Sequence, residues 1–171
     1  MIEQIKADIF TVEADAIIHQ CNCFHTMGSG IAHFIRENFP EAYQADKQTK
    51  AGDLAKLGTF SFAKVNNPKY PNVKVIVNLY SQFDCSHDKR QTRYDAFADG
   101  LTQIRDKMRA KANGATRTIA IPWRMGSNRG GGSWLIIRAI IEDVFGQEKD
   151  FNVLICKNPA VTDTLQNKVS H

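Results

Sequence analysis

Apolar residues along the chain follow two rhythms, one of period two and one near 3.6. Ile2 to Lys6 reads as a first strand. The run Asp15-Ala16-Ile17-Ile18-His19-Gln20 reads as a second, with the near-continuous apolar character of a strand covered on both faces. From Gly30 to Phe39, Ile31, Phe34 and Ile35 recur at helical spacing. Pro40 is expected to end that helix, because the residue before a proline disfavours helical backbone. Another helical segment is expected over Glu41 to Lys50, before the break at Gly52-Asp53. Gly58 to Val65 alternates, and the turn residues Asn66-Asn67-Pro68 and Pro71-Asn72 make Val73 to Tyr80 its hairpin partner.

Further along, Phe97, Leu101, Ile104 and Met108 share one helical face, and Asn113-Gly114 supplies a C-cap. Arg117 to Ile121 is a strand halted at Pro122, Trp134 to Phe145 an apolar-faced helix, and Phe151 to Cys156 a last strand. Strands alternating with helices, with a hairpin in the middle, predict a three-layer α/β/α sandwich around a mixed sheet. Neither repeat nor linker interrupts the pattern. Residues 1–156 are therefore expected to form one domain, and the polar stretch 157–171 a poorly ordered tail.

Composition narrows the functional classes. The 171 residues carry 22 Lys+Arg against 18 Asp+Glu, a net charge of +4 that suits an anionic ligand but is small for a nucleic-acid footprint. No apolar run approaches the ~18 residues of a membrane helix, and MIEQIKADIF is too polar for a secretory signal. A cytoplasmic monomer without membrane contact is expected. Cys21, Cys23, Cys85 and Cys156 then read as free thiols. His19, Cys21, Cys23 and His25 alternate as metal ligands on a strand could, but zinc spacings of the C-x2-C or H-x3-5-H kind are missing, so no metal and no cofactor is expected.

The informative pattern is strand, loop, glycine, helix, used twice. His19-Gln20-Cys21-Asn22 leads to Gly28-Ser29-Gly30, and Ile121-Pro122 leads to Gly126 through Gly132. Glycine lets backbone approach a ligand closely, and the free N–H groups of a helix N-terminus favour an anion. Ligands of open α/β sheets sit beyond the carboxyl ends of the strands. Two such loops at one sheet edge could grip a diphosphate, although each loop alone reads equally well as a tight turn. Gly-Lys-Ser/Thr is absent, which excludes an ordinary P-loop, and the third glycine of the dinucleotide fingerprint is missing.

The stretch from Ile17 through His19, Gln20, Asn22, Met27, Gly28 and Gly30 to Ala32 resembles the first ligand loop of macro domains. It is most similar to the yeast-type ADP-ribose 1″-phosphate phosphatases and the terminal-ADP-ribose glycohydrolases. Ile5-Lys6-Ala7-Asp8-Ile9-Phe10 resembles their opening strand, with alanine in place of glycine, and Ile121-Pro122 with Arg124 to Asn128 resembles their second phosphate loop. The resemblance implies that Asp8 and the Ile9 backbone meet adenine, that Asn22 lines the distal ribose, that Gly28, Ser29, Gly30 and Ile31 cover the phosphates, and that Gln20, Met27 and Gln82 also line the ligand. Pro122, Arg124, Met125, Gly126, Ser127, Asn128 and Arg129 would close from the other side.

For catalysis the resemblance implies proton transfer by His19 at the end of the second strand, with Asn22 orienting the ribose. Asp84, or Asp88, is the acid within reach in the loop after the middle strand. Gln82 stands where the glycohydrolases have a lysine, and the aspartate of another lineage is replaced by Ile31-Ala32-His33. His87, Lys89, Arg90 and Arg93 could clamp a terminal phosphate or form a solvated run. The activity implied is hydrolysis of ADP-ribose 1″-phosphate to ADP-ribose and phosphate. The alternatives are removal of ADP-ribose from protein or nucleic acid, and a reader that binds without turnover. Nucleic-acid binding through the Lys89–Arg93 loop is the weakest reading, because no aromatic residues interleave with the basic ones.

Overall fold

A computed structural model describes residues 1–161. Six strands and four helices follow one another as β1 (Ile2–Lys6), β2 (Ala16–Cys21), α1 (Gly30–Asn38), α2 (Pro40–Lys47), β3 (Phe60–Lys64), β4 (Val75–Tyr80), α3 (Tyr94–Ala112), β5 (Arg117–Pro122), α4 (Trp134–Phe145) and β6 (Phe151–Lys157), with a 3-10 turn at Leu54–Lys56. The sheet order is β1-β6-β5-β2-β4-β3. All neighbours run parallel except β3, which pairs antiparallel with β4 as the hairpin reading requires.

The strand period of two sorts residues to two cores. Ala16 and Ile18 of β2 join Val77, Leu79, Ile119, Ile121, Val153 and Ile155 against Phe97, Leu101 and Ile104 of α3 and Ile137 and Ile141 of α4. Ile17, Ile76 and Ala120 face the other way, onto Ile35 of α1, Phe39, and Ala42 of α2. The chain is thus an α/β/α sandwich, as expected. Among the described residues no helix is long and apolar enough to cross a membrane.

One junction adds to the sequence reading. Pro40 marks the end of α1, as expected, and also starts α2. The break falls on Phe39 (φ −135°, ψ 70°), which closes α1 and opens α2. Proline fits the first turn of a helix, where its missing N–H costs nothing, so the rule against a helical residue before proline acts on Phe39 alone. The last strand extends one residue further than expected, to Lys157, and residues 162–171 of the expected tail lie outside the described residues.

Candidate active site

A cleft of about 520 Å³ opens beyond the carboxyl ends of β2 and β5, which are adjacent and parallel. It is the size of a small-molecule site. The loop after β2 supplies Asn22, Met27, Gly28, Ser29, Gly30 and Ile31 to its wall, and the chain after β5 supplies Pro122, Arg124, Met125, Gly126, Asn128 and Arg129. Gln20 and Gln82 complete the set of expected residues that the fold brings together. Five others are not in the lining: Asp8, Ile9, His19, Asp84 and Ser127.

The first loop leads into α1 at Gly30, whose φ of +58° places it in the left-handed region that glycine tolerates. Ser29, the N-cap, makes no side-chain cap hydrogen bond, and the first turn holds no acidic residue. The amide groups at this helix start, among residues lining the cleft, are therefore left for an anion. The second loop does not repeat the device. Its lining ends at Gly130, and Ser133 and Trp134, where α4 begins, lie outside the cleft. It meets the cleft with loop residues, not with a helix terminus.

A neutral network holds the second loop in place. Gln20 Nε2 donates to Gln82 Oε1 (2.6 Å) and to Thr92 Oγ1 (3.0 Å), while Ser81 Oγ donates to Gln20 Oε1 (2.6 Å). Thr92 Oγ1 donates in turn to the Gly126 carbonyl (2.7 Å), and the Gln91 and Thr92 amides both donate to the Gly130 carbonyl. Gln82, at the expected lysine position, thus supports the wall, and its own Nε2 donates to the Asp84 carbonyl (2.6 Å).

Where expected residues fall short, the reasons are local. His19 shares its face of β2 with Ile17 and Cys21, the face roofed by α1 and α2. It is fully buried, bonded through Nε2 to Asn78 Oδ1 (2.7 Å), and Asn78 donates to the Ala42 carbonyl of α2. Burial lowers its pKa to about 4, against the opposing pull of the Asn78 bond. His19 is not among the residues that line the cleft, and burial keeps it uncharged near neutrality. Asp84 is exposed outside the lining and accepts from its neighbour's amide, Cys85 N (2.6 Å). Asp8 accepts from Phe10 N (3.0 Å) as a turn carboxylate, and Ile9 belongs to the core under α1. Ser127 Oγ is buried without a hydrogen-bond partner among the described residues.

Other lining residues escaped the sequence reading: Cys21, Thr26, Ala32, Cys85, Gly130 and, above all, Asp46. His87, one of the expected candidates for clamping a terminal phosphate, and Trp123 also line the cleft. Asp46 sits in the last turn of α2 and is 1% exposed. Its Oδ1 accepts from Tyr80 OH (2.7 Å) and lies 3.9 Å from Lys56 Nζ, while Oδ2 has no hydrogen-bond partner among the described residues. Burial raises its pKa, opposed by the Tyr80 bond and by the charges of His25 and Lys56. A carboxylate at the negative end of a helix dipole is an unfavourable placement, and that was the one signal available in the sequence.

The alternating His19, Cys21, Cys23 and His25 part company. Cys21 Sγ is 3.4 Å from His19 Nε2, whereas His25 Nε2 bonds Thr49 Oγ1 (3.0 Å). Among the described residues no cluster of three or more such side chains is arranged to hold a metal ion. Burial pushes the Cys21 thiol well up.

No protein-family model matches the chain. It is 35% identical over 147 residues, 83% of its length and 88% of the relative's, to an uncharacterised 17.5 kDa protein from the tk-vs intergenic region of enterobacteria phage T4. A DNA ADP-ribosyl glycohydrolase of Mycobacterium tuberculosis is 23% identical over 91% of the chain, which spans 42% of that protein. An ADP-ribose 1″-phosphate phosphatase of Ajellomyces capsulatus is 42% identical, over 26% of the chain and 18% of its own length. Among solved structures, the macrodomain of Mycobacterium tuberculosis DarG superposes with a TM-score of 0.74 at 19% identity, covering 91% of this chain and 97% of that one. Thermosipho africanus DarTG in complex with ADP-ribose gives 0.72 at 15% identity, covering 96% and 44%.

Proposed function

We propose that this chain, which belongs to one family with its phage T4 relative and has the macrodomain fold, binds ADP-ribose in the cleft and hydrolyses an ADP-ribose derivative there. One observation carries the reading: a single cleft lies between two glycine loops from adjacent parallel strands, with the uncapped start of α1 at its edge. That arrangement suits a diphosphate, held by backbone amides of Gly28 to Ile31 on one side and by Arg124 to Asn128 on the other. Asn22 would then face the distal ribose. Its Nδ2 donates to Thr26 Oγ1 and its Oδ1 accepts from Phe24 N (2.8 Å), so the amide is already oriented.

The substrate proposed first is ADP-ribose 1″-phosphate, giving ADP-ribose and inorganic phosphate. His87 and Arg129 in the lining suit a terminal phosphate, and the short match to a phosphatase of that name adds support. A second reading is removal of ADP-ribose from a modified nucleic acid. The similarity to the mycobacterial glycohydrolase favours it by running over far more of this chain.

Titration calorimetry with ADP-ribose tests the ligand. Phosphate release from ADP-ribose 1″-phosphate, set beside release of ADP-ribose from an ADP-ribosylated oligonucleotide, tests the reaction. Heat of binding with phosphate release from the first substrate is the expected result. Product from the oligonucleotide alone would replace the first reading with the second, and binding without product from either would leave a reader.

A further inference from the structure

A hydrolytic cleft needs a group that can move a proton, and neither residue expected to do so reaches it. His19 is sealed under α2, and Asp84 is solvated outside the lining. Among the described residues one carboxylate does line the cleft, that of Asp46, beside Cys21, Asn22, Thr26 and Met27. Its two oxygens differ. Oδ1 is anchored by Tyr80 OH and Lys56 Nζ, and both anchors are themselves fixed. Tyr80 OH bonds Ser61 Oγ (2.7 Å), and Lys56 Nζ donates to the Cys23 carbonyl (3.3 Å) and lies 4.3 Å above the Tyr80 ring. Oδ2, shielded from bulk solvent but on a residue that lines the cleft, is left with a free acceptor site for a water admitted with the ligand.

Leaving a buried carboxylate oxygen unmatched costs stability. The same arrangement is what a general base requires: one oxygen held, the other vacant, and basicity raised by burial.

We infer that Asp46 is the catalytic base of this cleft, with Oδ2 receiving the proton of the attacking water at the ribose end marked by Asn22. The inference rests on the ADP-ribose reading. With ADP-ribose 1″-phosphate, the water oxygen bonds to phosphorus while its proton passes to Asp46 Oδ2. The bond from phosphorus to the C1″ oxygen breaks, leaving its electron pair on that oxygen. The proton then passes from Asp46 to the C1″ oxygen, so that ADP-ribose and phosphate leave and the carboxylate is regenerated. Lys56 keeps the resting carboxylate ionised, and Tyr80 keeps it aimed.

The ionised form is the active one, so kcat should fall on the acid side with an apparent pKa above the ordinary carboxylate range. Lys56 from the Leu54–Lys56 turn, Tyr80 from β4, Cys21 from β2, and Cys23 and His25 from the first loop all face Asp46. His25→Gln therefore serves as the control for the other charge that acts on Asp46.

The test is Asp46→Asn, which keeps shape and the acceptor for Tyr80. Its kcat should drop about 100-fold or more and lose the acid limb, with ADP-ribose affinity kept within about threefold. In Lys56→Met the acid limb should move to higher pH, because a positive charge has been removed from beside the base. A variant that merely loosened the fold would leave that limb where it was.

Asp46→Asn with an undiminished kcat and an intact limb overturns the role of Asp46 and leaves the ligand reading standing. If Asp46→Asn no longer binds ADP-ribose, Lys56→Met decides: a shifted limb supports the role, an unmoved one overturns it. A wild type that binds ADP-ribose without turnover also overturns the catalytic role. A wild type that neither binds nor hydrolyses overturns the ligand reading, and the inference with it.

Discussion

The two loops that form the cleft both contain glycine, for different reasons. In the second loop glycine is a requirement of packing. A Cβ at Gly130 would fall 2.2 Å from Thr92 Oγ1 and 2.7 Å from both Gln20 Nε2 and the Gly126 carbonyl. One at Gly126, where φ is also +75°, would fall 2.9 Å from Gln20 Oε1. In the first loop the space is open: a Cβ at Gly28 meets only the Thr26 carbonyl at 3.8 Å, and at Gly30 nothing lies within 4 Å. The second loop is glycine-bearing because the protein is close to it. The first has room that the protein does not fill.

Their foundations differ as well. Neutral amides and hydroxyls hold the second loop. The first rests on ionisable groups: Lys56 Nζ on the Cys23 carbonyl, His25 on Thr49, and the buried His19 and Asp46 beneath. Packing glycines form one wall of the cleft, and those of the first loop leave space beside the other.

The harshest way to break this contrast is Gly130→Ala. Its added methyl must displace Thr92, Gln20 or backbone, so a stability loss of about 3 kcal/mol is expected by urea denaturation, with ADP-ribose binding lost as the wall shifts. Wild-type stability would show that the second loop is looser than its contacts imply.

Acid should act on the first loop's side of the molecule. The folded pKa of His19, about 4, lies below its unfolded value of about 6.5, so the unfolded chain takes up more protons between them. The stability present above pH 6.5 should be lost as the pH falls toward 4, by about 3 kcal/mol. Asp46, with its pKa raised, contributes the opposite slope on its own window above the ordinary carboxylate pKa. Denaturation curves across this range should flatten in His19→Gln. An unchanged slope would sink the assignment.

Thr92→Val removes one hydroxyl that both accepts from Gln20 and donates to Gly126. Because Gln20 keeps Gln82 and the Gly126 carbonyl keeps the Gly132 amide (2.9 Å), the expected cost in thermal denaturation is about 1 kcal/mol. Gly28→Ala should be the gentlest on the fold, changing stability by less than about 0.5 kcal/mol. ADP-ribose affinity should nonetheless fall about tenfold in calorimetry, as the methyl takes ligand space. Equal losses of stability at Gly28 and Gly130 would erase the distinction between the loops.

Much of this is legible in the sequence. The helix α4 has the bounds its apolar spacing predicts, and α3 buries Phe97, Leu101 and Ile104 with Met108 half-buried against the same core, because single-face periodicity is a local signal. Both glycine loops were found for the same reason. What escaped depends on contacts distant in sequence. Asp46 lies in AYQADK, which reads as an ordinary solvated helix end until Tyr80 and Lys56 arrive from elsewhere in the chain. His19 follows an apolar strand and so looked like a strand-end residue at a ligand edge, yet the alternation that buries Ile17 turns it under α2. Alternation decided against it.

Gln20 makes one side chain answerable to several parts of the chain at once. Its amide meets Ser81, Gln82 and Thr92, and its two terminal atoms bound the space at Gly126 and Gly130. The consequence is genealogical. A replacement at any one of these positions is tolerable only if its neighbours have already changed, so in an alignment of descendants they should vary as a block. Asn22, whose side chain bonds within its own loop, is under no such bond to the rest. Substitution histories at Gln20 and Asn22, two residues apart on the chain, should therefore be uncorrelated.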